Sequence, residues 1–302
     1  MKKSIIALAV SSAALASVSA NAAEETTVDL YGNIQYAYGE GSGGSSFADN
    51  GSTFGIKGET KVNEDLTAFF KYELEADADE KNSDVSVGLD QAFVGVKGGF
   101  GTVQAGTFDS IYNNAIQDSV DQFEYLGFES ASTTSEGDTV AYFSPSFGGF
   151  EVQLSAQAKG DGNVNGDVNY GTAVTSVIKY SVDALTVAVG YDSNDNTSDE
   201  NATTGLNIGF DVLPNLNVGL KYENEDKTQD ILGVSARYGY GMGDIYGSYQ
   251  TVDLDAASSK DYDEYGVGIT YDVAANIYVY GEVGQFGESE DSTSAVGVYY
   301  GF

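Results

Sequence analysis

The stretch Val296-Gly-Val-Tyr-Tyr-Gly-Phe302 alternates two kinds of residue up to the last position of the chain. In an extended strand successive side chains point to opposite faces. Val296, Val298, Tyr300 and Phe302 therefore share one face, and the residues between them share the other. The first face carries no polar atom except a tyrosine hydroxyl. The pattern predicts a final strand whose whole apolar face is packed against something other than water.

The same alternation recurs along the chain. Clear examples run from Leu66 to Leu74, from Phe150 to Ala158, from Leu216 to Tyr222 and from Tyr265 to Tyr271. A period of two gives each strand one apolar and one polar face. No segment shows convincing helical periodicity, so the chain is predicted to be all-β.

The connections between these segments alternate in length. The seven short ones are Asn63–Asp65, Gly98–Gly101, Pro145–Gly148, Val182–Ala184, Val212–Asn215, Gly241–Asp244 and Val273–Asn276. The eight long, mostly acidic ones are Gly39–Gly51, Asp77–Ser86, Asp109–Glu136, Gly160–Asn169, Ser193–Asn201, Asn224–Asp230, Asp253–Tyr262 and Gly287–Thr293. Together they join 16 strands. Short turns at one end and long loops at the other are typical of transmembrane β-barrels.

A soluble β-sandwich also alternates, and it is the competing fold. Its strands average about 5–6 residues, whereas these segments approach ten, and a sandwich has no reason to sort its connections by length. Both prolines, Pro145 and Pro214, fall in predicted short turns, as expected where every strand N–H must be paired in lipid. We therefore predict a 16-stranded antiparallel transmembrane barrel.

The start of the chain has the features of a secretory signal peptide. Lys2 and Lys3 precede an apolar run from Ile5 to Val18, and Ala20-Asn-Ala22 fits a cleavage site. The run is too short for a membrane helix of about 20 residues. We predict a signal peptide at residues 1–22 and one barrel domain at residues 23–302.

Composition excludes several functions. The net charge of −33 repels phosphates, so no nucleic acid is expected as a partner. The absence of cysteine excludes a disulfide scaffold, and the absence of histidine removes the usual general base and metal ligand. No Gly-x-Ser-x-Gly motif is present. We predict no enzyme activity and no cofactor. Asp161–Asp167 is similar to the start of an EF-hand loop, but Thr172 stands where a bidentate Glu is required, so no metal site is predicted.

Two blocks around the longest connection carry a family resemblance. Phe100-Gly-Thr-Val-Gln-Ala-Gly106 and Thr139-Val-Ala-Tyr-Phe-Ser-Pro-Ser-Phe-Gly-Gly-Phe150 resemble the segments that flank the third loop of general diffusion porins. With the strand count and the terminal Phe302, the resemblance covers essentially the whole mature chain. It implies a Gram-negative outer-membrane location among lipid and lipopolysaccharide, usually as a homotrimer. It also implies long external loops, short periplasmic turns, a third loop folded into the pore, and a final strand, with Tyr300 and Phe302, that is read during assembly.

In porins of this type, acids on the third loop face a basic cluster on the wall. Here Thr107 and Ala141 stand at wall positions that are usually basic, and no Lys or Arg occurs from Gly98 to Ala158. The predicted constriction acids are Asp109, Asp118, Asp121, Glu124 and Glu129, of which Asp118, Asp121 and Glu124 lie mid-loop. The predicted basic residues of the pore wall are Lys57, Lys61, Lys71, Lys179, Lys221 and Arg237.

These charges predict a passive, water-filled channel for small hydrophilic solutes and ions, with a preference for cations. The alternative is a channel specific for sugars, which needs aromatic side chains along the lumen. The residues proposed for such a track are Phe69, Tyr112, Phe123, Tyr125 and Phe128. A barrel enzyme is a third and weaker alternative.

Overall fold

The strands of the barrel dominate the structure. A computed structural model describes residues 26–79, 87–131, 136–157, 172–194, 201–256, 259–289 and 291–302. The predicted signal peptide and the segment Asp161–Asp167 lie outside the described residues. The strands are β1 (Thr26–Gly41), β2 (Gly44–Asp49), β3 (Thr53–Asn63), β4 (Leu66–Ala76), β5 (Val87–Gly98), β6 (Gly101–Thr107), β7 (Thr139–Phe143), β8 (Phe150–Gln157), β9 (Val174–Val182), β10 (Leu185–Asp192), β11 (Thr203–Leu213), β12 (Leu216–Glu225), β13 (Gln229–Gly239), β14 (Asp244–Leu254), β15 (Tyr262–Ala274), β16 (Ile277–Phe286) and β17 (Asp291–Gly301).

Antiparallel pairing closes these strands into a ring. Each strand from β3 onward pairs with the next one along the chain, and β1 pairs with both β3 and β17. The short β2 also pairs with β1, directly beyond β3. Strands β2 and β3 are thus two segments of one wall strand, and the barrel has 16 strands, as predicted.

The seam between β1 and β17 is sealed by the last residue. The backbone N–H of Phe302 donates to the carbonyl of Gly32 at 3.0 Å, and the Gly32 N–H donates back to the Phe302 carbonyl at 3.1 Å. Glycine is required at position 32 because a Cβ there would lie 2.5 Å from the carbonyl oxygen of Thr53, and it would also lie 2.9 Å from Cζ of Phe302. The terminal residue therefore completes the closure of the barrel.

The two faces of the wall differ as the alternation predicts. Val94 and Val267, which point outward, are 61% and 50% exposed, and hydrocarbon is the environment that covers such a face. Polar side chains such as Gln250 and Glu264 point the other way and are buried. The apolar face is thus outside and the polar face lines the lumen.

The two connections that shorten most from their predicted bounds are residues 39–51 and 224–230. Residues 39–51 mostly continue the first hairpin, because Gly44–Asp49 pairs with Tyr36–Gly41. Residues 224–230 contract to a turn between β12 and β13. The first segment, Gly-Ser-Ser-Phe-Ala-Asp, has no clear alternation, so only its pairing with β1 reveals a strand.

A short α-helix, α1 (Ile111–Ile116), and a 3₁₀ turn (Gln117–Ser119) follow β6. The hydroxyl of Ser110 caps the helix by accepting the Tyr112 N–H at 3.2 Å. Fewer than two turns cannot establish a periodicity of 3.6, so the sequence pattern did not predict α1. No helix in the described ranges has the length and apolar character needed to cross a bilayer.

Candidate pore-lining site

The β6–β7 segment, residues 108–138, is the long connection on which most predicted acids lie, and its described part packs against distant strands. Helix α1 contacts β9, β10 and β11. Further along, wall side chains hold the segment by its backbone carbonyls: Asn207 donates to Ala115 at 2.9 Å, and Ser248 donates to Val120 at 2.6 Å. These wall residues all belong to the polar face. The segment therefore lies along that face over β9 to β16.

Two buried wall carboxylates hold the backbone of the segment from β15 and β16. Glu282 accepts the backbone N–H groups of Glu124, Tyr125 and Leu126 at 2.7, 3.0 and 3.1 Å. Glu264 accepts the Glu129 N–H at 2.8 Å. Both side chains are 2% exposed. Hydrogen bonds to an ionised acceptor are stronger than neutral ones, so these carboxylates fix the position of residues 124–129.

A row of wall glycines provides the space in which the segment lies. A Cβ at Gly190 would lie 2.8 Å from the ring of Tyr112, and one at Gly205 would lie 2.6 Å from Cγ2 of Ile116. The same holds further along the path, where the close partners are Ser119 for Gly219, Val120 for Gly233, Phe123 for Gly266 and Tyr125 for Gly39. We call Gly39, Gly190, Gly205, Gly219, Gly233 and Gly266 the glycine furrow. It permits backbone and rings to approach the wall closely.

The predicted acids of the segment divide by exposure. The side chains of Asp118, Asp121 and Glu129 are exposed. Glu124 is half-buried and accepts a hydrogen bond from Gln35 at 3.4 Å. Asp109 lies at the other end, near β5, where it accepts a bond of 2.7 Å from Gln91.

Surrounding protein atoms shift the titration of these carboxyl groups. Desolvation raises the pKa of Asp118 to about 6, and the charges of Asp121 and Asp109 add to the effect while Lys221 opposes it. Desolvation likewise raises the pKa of Asp121, Glu124 and Glu129. The residue Asp118 is exposed, yet densely packed neighbours displace part of the hydration of its carboxylate.

The predicted basic wall residues fall into separate groups. Lys221 is 1% exposed and its Nζ lies 2.9 Å from the buried carboxylate of Glu223. Arg237 pairs with Asp244 at 2.9 Å and also donates to the Gln122 carbonyl at 3.4 Å. These two cations are therefore partly or fully neutralised beneath the β6–β7 segment.

The remaining predicted cations lie elsewhere on the wall. Lys57 lies over the ring of Tyr31, 5.0 Å from its centroid, and Lys71 pairs with Glu73. Lys61 is exposed next to the short turn after β3, and Lys179 on β9 stands opposite Glu151 on β8.

One basic wall residue was missed from the sequence. Lys97 shares a face of β5 with Phe93 and Gly95, and its Nζ lies 5.9 Å from the centroid of Phe69. The alternation of side chains along β5 is the signal that identifies Lys97, because residues 93, 95 and 97 point to the same face.

The anchoring residues were also missed. Glu264, Glu282 and the furrow glycines fall on polar strand faces, where alternation predicts only contact with water. One signal for the furrow is present in the sequence: Gly190, Gly205 and Gly219 lie on the lumen-facing side of three consecutive strands. Two residues of the predicted aromatic track are buried rather than open to the lumen: Tyr112 is fully buried and Phe128 is 8% exposed.

A closed 16-stranded antiparallel barrel with an apolar exterior and a polar interior defines the class of outer-membrane β-barrel proteins. The family model described as Gram-negative porin matches residues 7–291. The chain belongs to this family of Gram-negative porins.

Individual relatives agree with this assignment. A protein of Halomonas sp. named monosaccharide porin is 32% identical, and the alignment covers 100% of both chains. Among solved structures, Salmonella typhi OmpF in complex with daunomycin superposes with a TM-score of 0.75 at 20% identity, over 91% of this chain and 97% of that one. The anion-selective porin of Comamonas acidovorans superposes with a TM-score of 0.74 at 16% identity, over 92% and 100%. The latter two show the fold alone.

Family and fold together place the protein in the Gram-negative outer membrane as a channel for ions or small solutes.

Proposed function

We propose that the protein is a passive, cation-selective diffusion channel whose β6–β7 segment lies within the lumen and forms its narrowest part. The contacts of this segment with the polar faces of β9 to β16 support its position. In a closed barrel the polar face surrounds the lumen, so a segment held along that face occupies part of the cross-section. The acids Asp109, Asp118, Asp121, Glu124 and Glu129 then border the remaining passage.

The observation that carries the selectivity is the unequal neutralisation of charge. Asp118, Asp121 and Glu129 are exposed, whereas the nearby cations Lys221 and Arg237 are paired with Glu223 and Asp244. A narrow passage between low-dielectric walls focuses a field of one sign. Cations are drawn in and anions are repelled.

The fold by itself does not set the sign of this preference. The Comamonas acidovorans protein of the same fold is named an anion-selective porin. Selectivity must therefore come from the particular charges along the passage, and substitution of those charges is the direct test.

Reversal potentials across a planar bilayer in a KCl gradient test the proposal. The wild type is expected to prefer K⁺, most strongly at low salt, because the Debye length is about 30 Å at 0.01 M and about 10 Å at 0.1 M. The triple variant D118N/D121N/E124Q is expected to lose most of the preference. The control variant E64Q/D65N/D183N changes the charge equally at exposed short-turn positions and is expected to keep it. Anion preference in the wild type would refute the proposal.

We also propose a homotrimer in contact with lipid and lipopolysaccharide, on the resemblance to trimeric porins. The exposed apolar exterior suits both lipid and a second copy. Mass determination of the detergent-extracted, unheated protein tests the oligomeric state, and a monomeric mass would refute it.

A saturable sugar channel is the second candidate, favoured by the name of the Halomonas relative. Sugar flux into liposomes distinguishes the two candidates, because passive diffusion rises linearly with concentration whereas a channel with a binding site saturates.

A further inference from the structure

A pocket of about 520 Å³ opens on the polar face of β1 and β3 to β6, on strands that the described part of the β6–β7 segment largely leaves uncovered. Its size lies within the range of about 300–1,000 Å³ common for small-molecule sites. The side chains that line it and are used below are Asp29, Lys57, Glu59, Phe69, Lys71, Phe93, Lys97 and Gln104.

The pocket contains an aromatic platform. The ring of Phe69 lies over Gly95, since a Cβ there would come within 2.9 Å of Cε1 of Phe69. Phe93 packs edge to face against Phe69, with centroids 6.2 Å apart, and Phe108 packs against Phe93 in turn. Both Phe69 and Phe93 are only half-buried. The ring of Phe69 thus packs against Gly95 and Phe93, and the rest of its surface is part-exposed on the polar face of the wall.

Charged pairs surround the platform. Nζ of Lys97 lies 2.6 Å from Oε2 of Glu59 and 5.9 Å from the centroid of Phe69. Lys71 pairs with Glu73, and Lys57 lies over Tyr31. The Glu59–Lys97 pair is about half exposed. It therefore offers an acceptor and a donor side by side at the edge of the aromatic face.

The charges of the pocket balance, although the whole chain has a net charge of −33. The lining cations are Lys57, Lys71 and Lys97, and the lining anions are Asp29 and Glu59. The third anion, Glu73, lies outside the lining and pairs with Lys71. A balanced site has no net attraction for a free ion, whereas its many donors and acceptors suit a neutral molecule rich in hydroxyl groups. Aromatic faces bury the C–H face of such a molecule.

We propose that this pocket is a binding subsite for neutral, pyranose-sized sugars. The sugar ring stacks on Phe69, and neighbouring hydroxyls donate to Glu59 and accept from Lys97 and the Gln104 amide. The inference rests on the second candidate function, the saturable sugar channel, and assigns its binding site to this part of the wall.

D-glucose titrated against the KCl conductance of the full-length channel tests the subsite. The wild type is expected to show a saturable fall in conductance beyond that caused by glycerol at equal viscosity. F69L removes the ring but keeps apolar volume, and the half-saturating glucose concentration is expected to rise about fivefold or more. E59Q is expected to weaken glucose binding in the same direction.

Y299L is the matched control, because Tyr299 is a lumen-facing aromatic that stacks on Tyr278 outside the pocket. It is expected to bind glucose as the wild type does and to keep the wild-type conductance in KCl alone. An identical glucose response in F69L and wild type, or no saturable response in either, would overturn the subsite. Tighter binding of gluconate than of glucose would also overturn the assignment to a neutral ligand. If the wild type did not conduct in KCl without sugar, the proposed channel function itself would be refuted.

Discussion

The carboxylate of Glu282 accepts the backbone N–H of Glu124 at 2.7 Å, although the two residues lie 158 positions apart in the chain. The same carboxylate also accepts the N–H groups of Tyr125 and Leu126 and the hydroxyl of Tyr246 at 2.6 Å. One buried side chain of the wall thus fixes three consecutive residues of the β6–β7 segment.

Neutralising this anchor is expected to loosen the segment. In E282Q the acceptor becomes an uncharged amide oxygen, and the loss is about 2 kcal/mol of local stability, the typical worth of a hydrogen bond to a charged group. Hydrogen exchange at residues 124–126 should accelerate about 30-fold, and open-channel current noise should increase. E151Q, on the polar face of β8, provides the control and should leave exchange at these amides unchanged.

Filling the glycine furrow is expected to displace α1. In G205A the new methyl group would overlap Tyr112 and Ile116, and overpacking of this kind costs about 1–3 kcal/mol. Denaturant unfolding of the detergent-solubilised protein should show the loss. At Gly209, on the same face of the same strand, an added methyl group would have no atom within 4 Å. Equal destabilisation by G209A would show that the furrow is not the cause.

Acidification is expected to reduce cation selectivity. The pKa of Asp118 is raised to about 6 by desolvation. The side chain therefore carries its negative charge at pH 7 and loses most of it by pH 5. The ratio of K⁺ to Cl⁻ permeability should fall across this window. D118N should show a smaller fall, whereas D183N in a short turn should follow the wild type.

Removing the ring of Phe302 is expected to impair closure and insertion of the barrel. The residue forms the last pair of the seam with Gly32, and its ring packs over that glycine. F302S should lower the amount of folded protein in the outer membrane, measured by heat modifiability in gel electrophoresis. F302Y retains the ring and should remain close to the wild type. Equal levels of F302S and wild type would contradict this role.

The sequence by itself determined the wall. Alternation from Leu66 to Leu74 or from Tyr265 to Tyr271 is a local property, so it fixed which side chains face outward. The order of short and long connections fixed the number of strands. The acidic character of the β6–β7 segment is likewise visible in the sequence, because charge needs no fold to be counted.

The tertiary structure alone decided how the interior is filled. Alternation places both Lys221 and Lys57 on the lumen-facing side of the wall. Lys221 is nevertheless buried against Glu223, whereas Lys57 is exposed beside Tyr31. Tyr112 is placed in the furrow rather than along the passage. These outcomes depend on which wall strand the β6–β7 segment meets after it leaves β6. Contacts between residues about a hundred positions apart leave no periodic trace in either segment, so the closed barrel was needed to bring them together.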